Sequence, residues 1–284
     1  MSDAPTFFCI GAARSGTTWA WECLRHHPEV VVTQPKETDY FSHHFDRGEE
    51  WYLTHYPPSQ LPVRGEVNPG YLHHPLAAER IFQLYPESRI VAILRDPRER
   101  AVSHVLFRAR AEGASNRHED LSAYATDELL ERSLYYTALK PYYEKFGPDR
   151  VKILFYDDLR ASPVDFQSEL YRAVGADPKF RFDGAMKVIN KARPFKYPRL
   201  LKVIRAISGF IKSHKILRPI WDAFHRTFSL RRFLLERLRS NEAEKPRPSF
   251  GDLYSKEQET QLFDELVSLR EKWGLEVPND WLTE

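Results

Sequence analysis

The chain has 284 residues and a formal net charge of +2, and 42% of its residues are hydrophobic. This length and composition suffice for one large α/β domain, or two small ones, with a buried core. No run reaches the roughly 18 apolar residues that cross a bilayer, and the first residues lack the basic and apolar regions of a signal peptide. Two cysteines, Cys9 and Cys23, are too few for a disulfide framework, so we expect buried thiols and a cytoplasmic protein.

The first predicted element is a short apolar strand, residues 7–10, which runs into a glycine-bounded loop and then into a helix-compatible segment. Gly11 and Gly16 have no Cβ, so the backbone can turn tightly and direct N–H groups at an anion at the positive end of the helix. A loop that binds ATP with Mg²⁺ carries Lys directly after its last glycine, whereas threonine follows Gly16 here. The pattern therefore indicates an anion site with hydroxyls and a single cation, Arg14.

This loop resembles the one that binds the 5′-phosphosulfate group in sulfotransferases that use 3′-phosphoadenosine 5′-phosphosulfate (PAPS). Many of those enzymes have Lys where this chain has Arg14, and the tyrosylprotein and many bacterial branches resemble it in having Arg. On this segment alone, an ordinary turn between a strand and a helix is the alternative. The residues that the resemblance implies for donor binding are Ala13, Arg14, Ser15, Gly16, Thr17, Thr18 and Trp19.

The second predicted strand, residues 30–32, leads into the sequence QPKETDYFSHHF at residues 34–45. A carboxylate near the carboxyl edge of a parallel sheet faces the crevice where ligands bind, so Glu37 is placed to take a proton from an acceptor hydroxyl. Lys36 offers positive charge to the transferring group. The segment resembles the Lys-Glu-x-x-x-Phe motif of glycosaminoglycan sulfotransferases, which implies that Glu37 is the general base. A solvated Lys-Glu pair is the alternative.

Four histidines compete with Glu37 for the role of base, because a neutral imidazole accepts a proton near pH 7. They form two adjacent pairs, His43 with His44 and His73 with His74. The first pair is nearer to Glu37 in sequence, and His43 is the second candidate base. The pairs lack a Cys or carboxylate ligand pattern, so we expect no metal site.

The third predicted strand, residues 63–67, belongs to the sequence GEVNPGYLHHP at residues 65–75. This segment resembles the Glu-Lys-x-Pro-x-Tyr/Phe segment of the glycosaminoglycan branch, but Val67 stands where that branch has Lys. One cation that the resemblance implies is therefore missing. We expect Arg14 and Lys36 to supply its charge to the leaving phosphate.

The fourth predicted strand, residues 90–94, ends at Arg95, and a helix follows with Asp96 as N-cap and Glu99 as capping-box partner. Ser103 lies two helical turns after Asp96, on the same side of the helix. An Arg side chain and a nearby hydroxyl can share one phosphate. The segment resembles the motif that binds the 3′-phosphate in sulfotransferases, which implies this role for Arg95 and Ser103.

A fifth strand is predicted at residues 151–155, and two later helices have clear start and stop signals. These signals are Ser162 and Gly175 for the first helix and Ser255 and Gly274 for the second. Between the two helices, the sequence NKARPFKYPRL resembles the basic loop that bacterial family members close over the nucleotide. The resemblance implies that Lys191 and Arg193 contact the donor.

Positive charge is concentrated in one region of the chain. Residues 196–239 contain twelve Lys and Arg against one Asp and one Glu, a local charge of +10, which leaves −8 for the remainder. Residues 201–240 also carry an apolar stripe at helical spacing. We expect these helices to pack on the core and act as a lid over the substrate, and contact with anionic lipid is the alternative.

The patterns together predict a single α/β domain over residues 1–284, with a P-loop-like parallel sheet flanked by helices and a basic helical subdomain at about residues 196–248. The resemblance implies a bacterial PAPS-dependent sulfotransferase that sulfates a hydroxyl of a carbohydrate, glycolipid or natural product. Adenosine 3′,5′-bisphosphate would be released, and neither a metal nor a nucleic acid is an expected partner. Two other classes stay open: a P-loop kinase or NTPase, and a non-catalytic protein that binds lipid or nucleic acid through the basic region.

Overall fold

The computed structural model describes residues 4–112, 120–184 and 247–283. All five predicted strands are confirmed within these ranges, with ends that differ from the prediction by at most one residue. In chain order the strands are β1 (Phe7–Gly11), β2 (Val30–Val32), β3 (Val63–Val67), β4 (Arg89–Leu94) and β5 (Val151–Phe155).

At least one helix separates each strand from the next in the part of the chain that the structure describes. In chain order the α-helices are α1 (Thr17–Arg25), α2 (Tyr40–His43), α3 (Glu49–Leu53), α4 (Ala77–Leu84), α5 (Pro97–Glu112), α6 (Asp127–Glu131), α7 (Tyr135–Phe146), α8 (Tyr156–Ala161), α9 (Pro163–Val174) and α10 (Lys256–Trp273). Short 3₁₀ turns lie at Phe45–Arg47, Leu121–Tyr124 and Asn279–Leu282. None of these described helices combines the length and the apolar content that a bilayer crossing requires.

The predicted helix signals form as hydrogen-bonded caps. The Ser162 hydroxyl accepts a hydrogen bond from a backbone N–H in the first turn of α9, and Gly175 ends that helix with a φ of 85°. At α10, Ser255 and Gln258 form a complete capping box, and Gly274 ends the helix in the left-handed conformation. These caps satisfy backbone groups that would otherwise lack partners.

The five strands form one parallel sheet in the order β2-β3-β1-β4-β5. The chain leaves β1 toward β2 on one side and leaves β4 toward β5 on the other. The strand order therefore reverses between β1 and β4, and ligands of open α/β sheets bind outside the carboxyl ends of the strands at such a point. The loops that follow β1 and β4 meet there.

Both faces of the sheet are buried, as the apolar strand sequences predict. On β1, Phe8 and Ile10 belong to one core layer, and Phe7 and Cys9 belong to the other. The first layer is completed by residues of α2, α4, α7 and α10, and the second by residues of α1 and α9. The predicted α/β class with a flanked parallel sheet is confirmed. Cys9 and Cys23 are free, buried thiols, and burial raises the pKa of each to about 12.

The chain divides into two compact units. One consists of residues 1–104, 127–189 and 254–284, and it contains the sheet and all residues of the candidate site described below. The other consists of residues 105–126 and 190–253. The predicted helical subdomain at about 196–248 falls almost entirely outside the described residues, as do Lys191 and Arg193, so these assignments stay predictions.

Candidate active site

The β1–α1 loop, residues 12–16, lies at the carboxyl end of the central strand. Arg14 and Gly16 both have positive φ, 73° and 85°. This conformation costs a residue with a Cβ roughly 1–2 kcal/mol, whereas glycine adopts it freely. A Cβ on Gly16 would also come within 3.2 Å of the Tyr156 ring. No described side chain caps the N-terminus of α1, so its first N–H groups point into the loop.

The predicted donor-binding residues of this loop differ in exposure. Ser15 is fully buried, and its Oγ has no hydrogen-bond partner among the described residues. A buried hydroxyl without a partner is unfavourable, so an anion oxygen in the loop would stabilise it. Thr17 is buried and Thr18 is exposed. The Trp19 indole is 3% exposed and packs edge-on against Phe166.

The β4–α5 junction provides the second part of the site. Asp96 Oδ1 accepts hydrogen bonds from the backbone N–H groups of Arg98, at 2.8 Å, and Glu99, at 3.1 Å, which confirms the predicted N-cap. The Glu99 carboxylate accepts from Arg95 Nε at 3.0 Å and from Arg160 Nη1 at 3.2 Å. Partial burial acts to raise the pKa of Glu99, but the two guanidinium groups outweigh it and lower the pKa.

The Arg95 guanidinium is buried and held on several sides. Besides its pair with Glu99, its Nη1 donates to the backbone oxygen of Arg14 at 3.4 Å, and it lies 4.9 Å from the centre of the Tyr156 ring. The Tyr135 hydroxyl donates to the Arg95 backbone oxygen at 2.8 Å. These contacts orient a cation toward the β1–α1 loop.

The two predicted anion sites are in contact. Arg14 Nε donates to Ser103 Oγ at 3.4 Å, across 89 positions of sequence, and Arg95 reaches the Arg14 backbone. Both distances are at the long end for hydrogen bonds, so the contacts show proximity more than strong bonding. They place Arg14, Arg95 and Ser103 together where the strand order of the sheet reverses.

The 36–39 turn follows β2 and carries the predicted base. Glu37 and Asp39 have positive φ, 66° and 56°, and Thr38 lies between them. Lys36 and Glu37 form an ion pair in which the Glu37 side chain is 44% exposed and the Lys36 side chain 14% exposed. The positive charge of Lys36 also partly opposes the burial that raises the Cys9 pKa.

A fully buried carboxylate, Glu66 on β3, lies beneath this turn. Its Oε1 accepts from the Thr38 N–H at 2.8 Å and from the Thr38 hydroxyl at 2.7 Å, and its Oε2 accepts from the Tyr71 hydroxyl at 3.0 Å. Burial raises the pKa of Glu66 above its ordinary value of 4.5, although the hydrogen bonds from Thr38 and Tyr71 act against that rise. Sequence analysis singled out the segment that contains Glu66 but gave this residue no role.

None of the four candidate histidines forms a described hydrogen bond or ion pair with Glu37. The rings of His43 and His74 lie 5.6 Å apart, and His44 packs against Trp51. His73 Nε2 is buried, and burial together with nearby cations lowers the His73 pKa to about 3. No group of three or more His, Cys, Asp or Glu side chains among the described residues is arranged to hold a metal ion.

Tyr156 and Arg160 are site residues that sequence analysis missed. Tyr156 directly follows β5, and its ring lies against Gly16 and beneath the guanidinium of Arg95, while Arg160 lies 5.7 Å from the centre of the same ring. The available signal was position, because Tyr156 follows a predicted strand and so lies at the carboxyl edge of the sheet.

Comparisons with protein families, curated proteins and solved structures all find sulfotransferases. The model of the sulfotransferase family matches residues 40–179. The membrane-associated sulfotransferase kil1 of Dictyostelium discoideum is 34% identical over 107 residues, which are 36% of this chain and 23% of that protein. The bifunctional heparan sulfate N-deacetylase/N-sulfotransferase 3 of Mus musculus is 24% identical over 253 residues, 75% of this chain and 29% of that protein.

A sulfotransferase crystal structure from Alicyclobacillus acidocaldarius has the same fold, with a TM-score of 0.55, 22% identity, and coverage of 72% of this chain and 91% of that one. The chain spans less than a third of the length of the two curated relatives. The family match begins after the β1–α1 loop and after Glu37. The assignment of Arg14 and Glu37 therefore depends on the geometry described above.

Proposed function

Because this chain belongs to the sulfotransferase family, we propose that it transfers a sulfuryl group from PAPS to a hydroxyl of an acceptor and releases adenosine 3′,5′-bisphosphate. The observation that carries this proposal is the contact of Arg14 with Ser103 and of Arg95 with the Arg14 backbone. Two cationic sites side by side suit a nucleotide that carries anionic groups at both its 5′ and 3′ positions.

The residues of the loop fit the 5′ group of such a donor. The N-terminus of α1 has no described side-chain cap, the Ser15 hydroxyl is buried without a described partner, and Arg14 supplies the positive charge. Arg95 and Ser103 would hold the 3′-phosphate, with the Tyr156 ring packed between the loop and Arg95. When bound, the donor supplies a sulfuryl group on a phosphate leaving group.

The 36–39 turn supplies the acid–base chemistry. The half-exposed Glu37 carboxylate is accessible to an acceptor and takes the proton of its hydroxyl as the oxygen attacks sulfur. Lys36 neutralises Glu37 before the reaction and offers positive charge to the transferring group during it. Arg14 and Lys36 together provide the charge that Val67 does not provide.

An amine acceptor is the second candidate. The name of the mouse relative describes N-sulfation of heparan sulfate, and a base at position 37 would serve an amine as well as a hydroxyl. An acceptor screen therefore pairs each hydroxylated compound with its amino analogue. Transfer to the amine alone would replace the hydroxyl assignment.

We also propose peripheral contact with anionic membranes through the basic region at residues 196–239, whose local charge is +10. The name of the Dictyostelium relative includes membrane association. Co-sedimentation with phosphatidylserine vesicles and with neutral vesicles tests this idea. Recovery of all protein in the supernatant with both vesicle types would contradict it.

The donor assignment is tested by thermal unfolding with adenosine 3′,5′-bisphosphate, ADP and AMP at equal concentration in EDTA. We expect the largest rise in Tm with the bisphosphate, because only this ligand engages both anion sites. Arg172→Gln, a change on the exposed face of α9, is the matched control and should keep that preference. A parallel measurement with ATP, in Mg²⁺ and in EDTA, tests the alternative class. Stabilisation by ATP that requires Mg²⁺, with none by the bisphosphate, would instead indicate a kinase or NTPase.

A further inference from the structure

The Glu66 carboxylate is surrounded by hydrogen-bond donors and not by a cation. Thr38 donates twice, Tyr71 donates once, and Asn68 Nδ2 approaches Oε1 at 3.4 Å. No Lys or Arg of the described residues forms an ion pair with it. A buried carboxylate without a counter-charge is a poor way to stabilise a fold, since apolar groups of similar shape often serve stability as well or better. Its presence argues for a role beyond packing.

The network is directed at the backbone of the 36–39 turn. Thr38 is bound to Glu66 through both its N–H and its hydroxyl, and Asp39 Oδ1 accepts from Asn68 Nδ2 at 3.1 Å. The residues on either side of Thr38 have the positive φ that side chains with a Cβ rarely adopt. A conformation of this kind persists where surrounding contacts hold it in place.

Tyr71 connects the same network to α2, the helix that follows the 36–39 turn. Its hydroxyl donates to Glu66 Oε2, lies 3.3 Å from the Thr38 hydroxyl, and accepts from the Phe41 N–H at 3.4 Å. The turn is therefore bound to β3 on its inner side and to the first residues of α2 beyond it. Glu37 itself contributes no contact to this network and extends toward solvent.

We propose that Glu66 is a positioning residue for the transfer reaction: it holds the Thr38 backbone so that the neighbouring Glu37 carboxylate is presented to the acceptor. This inference rests on the proposed function of Glu37 as the base. The hydrogen bonds made by Glu66 lie within the turn and its support, and none reaches Arg14, Arg95 or Ser103. Loss of Glu66 should therefore impair proton transfer and leave donor binding unchanged.

The first test does not depend on activity. Hydrogen exchange of the Thr38 amide is measured in the wild-type protein, in Glu66→Gln and in Tyr171→Phe. Tyr171 is the control because, like Tyr71, it is a fully buried tyrosine whose hydroxyl donates one hydrogen bond. Its partner is the Cys23 backbone oxygen, outside the Glu66 network. We expect exchange of the Thr38 amide to accelerate by about tenfold or more in Glu66→Gln alone. Unchanged exchange in Glu66→Gln would overturn the proposal.

The second test separates positioning from general stability. In the wild-type background, Glu66→Gln and Tyr71→Phe should each lower kcat by about tenfold with donor KM unchanged, while Tyr171→Phe lowers neither. In a Glu37→Gln background, Glu66→Gln should cause no further loss, because its effect acts through Glu37. An equal loss in both backgrounds would overturn the proposal. If Glu66→Gln does not fold, Tyr71→Phe provides the same comparison.

The two proposals fail in different ways. Full turnover in Glu37→Gln would remove Glu37 as the base, and the Thr38 exchange measurement would still decide whether Glu66 holds the turn. Loss of turnover in Glu37→Gln, combined with normal rates in both network variants, would leave the base assignment intact and remove the positioning role.

Discussion

The β1–α1 loop and the 36–39 turn both contain residues with positive φ, but different parts of the molecule hold them. The loop is bounded by glycine, its cation Arg14 lies against Ser103 of α5, and Gly16 lies against Tyr156 of α8. The turn contains no glycine and is bound to a fully buried carboxylate 28 positions away. The conformation of the loop thus depends on local glycines, whereas the turn that carries the proposed base, Glu37, is bound to a residue distant in sequence.

The largest effect should come from removing the proposed base at the turn. We expect Glu37→Gln to lower kcat by about 10²–10⁴-fold, the usual contribution of general base catalysis. The affinity for adenosine 3′,5′-bisphosphate, measured by calorimetry, should stay unchanged because the described contacts of Glu37 do not include the loop. Single-turnover rates with saturating donor provide the kinetic measurement.

His43→Gln is the matched variant for this prediction. The His43 ring packs on His74 and makes no described contact with Glu37, so its loss should leave kcat within about threefold of wild type if Glu37 is the base. A large loss in His43→Gln together with near-normal turnover in Glu37→Gln would exchange the two assignments.

Sequence patterns predicted those parts of the candidate site whose conformation is set by neighbouring residues in the chain. The strands, the Asp96 cap, and the loop around Gly16 follow from apolar runs, capping chemistry and the absence of a Cβ. The role of Glu66 was not predictable in this way, because a Glu in a strand is normally exposed, and only the pairing of β3 with its neighbours places it under Thr38. No single segment of the sequence determines which residues of distant strands and turns come into contact.

A second, smaller effect should appear on the loop side of the comparison. Arg95→Gln removes a buried cation that lies against the Arg14 backbone, and we expect the Kd for adenosine 3′,5′-bisphosphate to rise by about 30-fold, typical of one charged hydrogen-bonding group. The Kd for AMP, which lacks the 3′-phosphate, should change far less. Equal weakening of both ligands would contradict the assignment of Arg95 to the 3′ end.

The Ser15 hydroxyl allows binding and stability to be separated. Ser15→Ala should weaken bisphosphate binding by about fivefold and change the free energy of unfolding by less than about 0.5 kcal/mol, since no described bond is lost. Ser133 is the matched control, because it is equally buried but bonds to Arg100 Nε and to the Pro97 backbone. Ser133→Ala should destabilise the protein by about 1–3 kcal/mol. A similar loss of stability in Ser15→Ala would show that its hydroxyl has a protein partner.

The smallest expected effect is a pair of opposite pH dependences. Glu66 has a raised pKa in the folded protein, so above about pH 4.5 the folded state binds more protons at this site than the unfolded state, and stability falls as pH rises. Glu99 has a lowered pKa, so its contribution is present above about pH 4.5 and is lost as pH falls through the lowered value. The turn and the α5 junction should therefore respond to pH with opposite signs.

Urea unfolding of wild type, Glu66→Gln and Glu99→Gln between about pH 3 and pH 7 measures both signs. The stability of wild type relative to Glu66→Gln should decrease with rising pH, with a slope below the limit of about 1.4 kcal/mol per pH unit for one whole proton. The stability of wild type relative to Glu99→Gln should instead decrease with falling pH. The His73 pKa, lowered by burial, is present in all three proteins and cancels in the differences. Parallel slopes for the two variants would mean that the buried carboxylate under the turn is stabilised in the same way as the ion-paired one, and the contrast between the two regions would no longer hold.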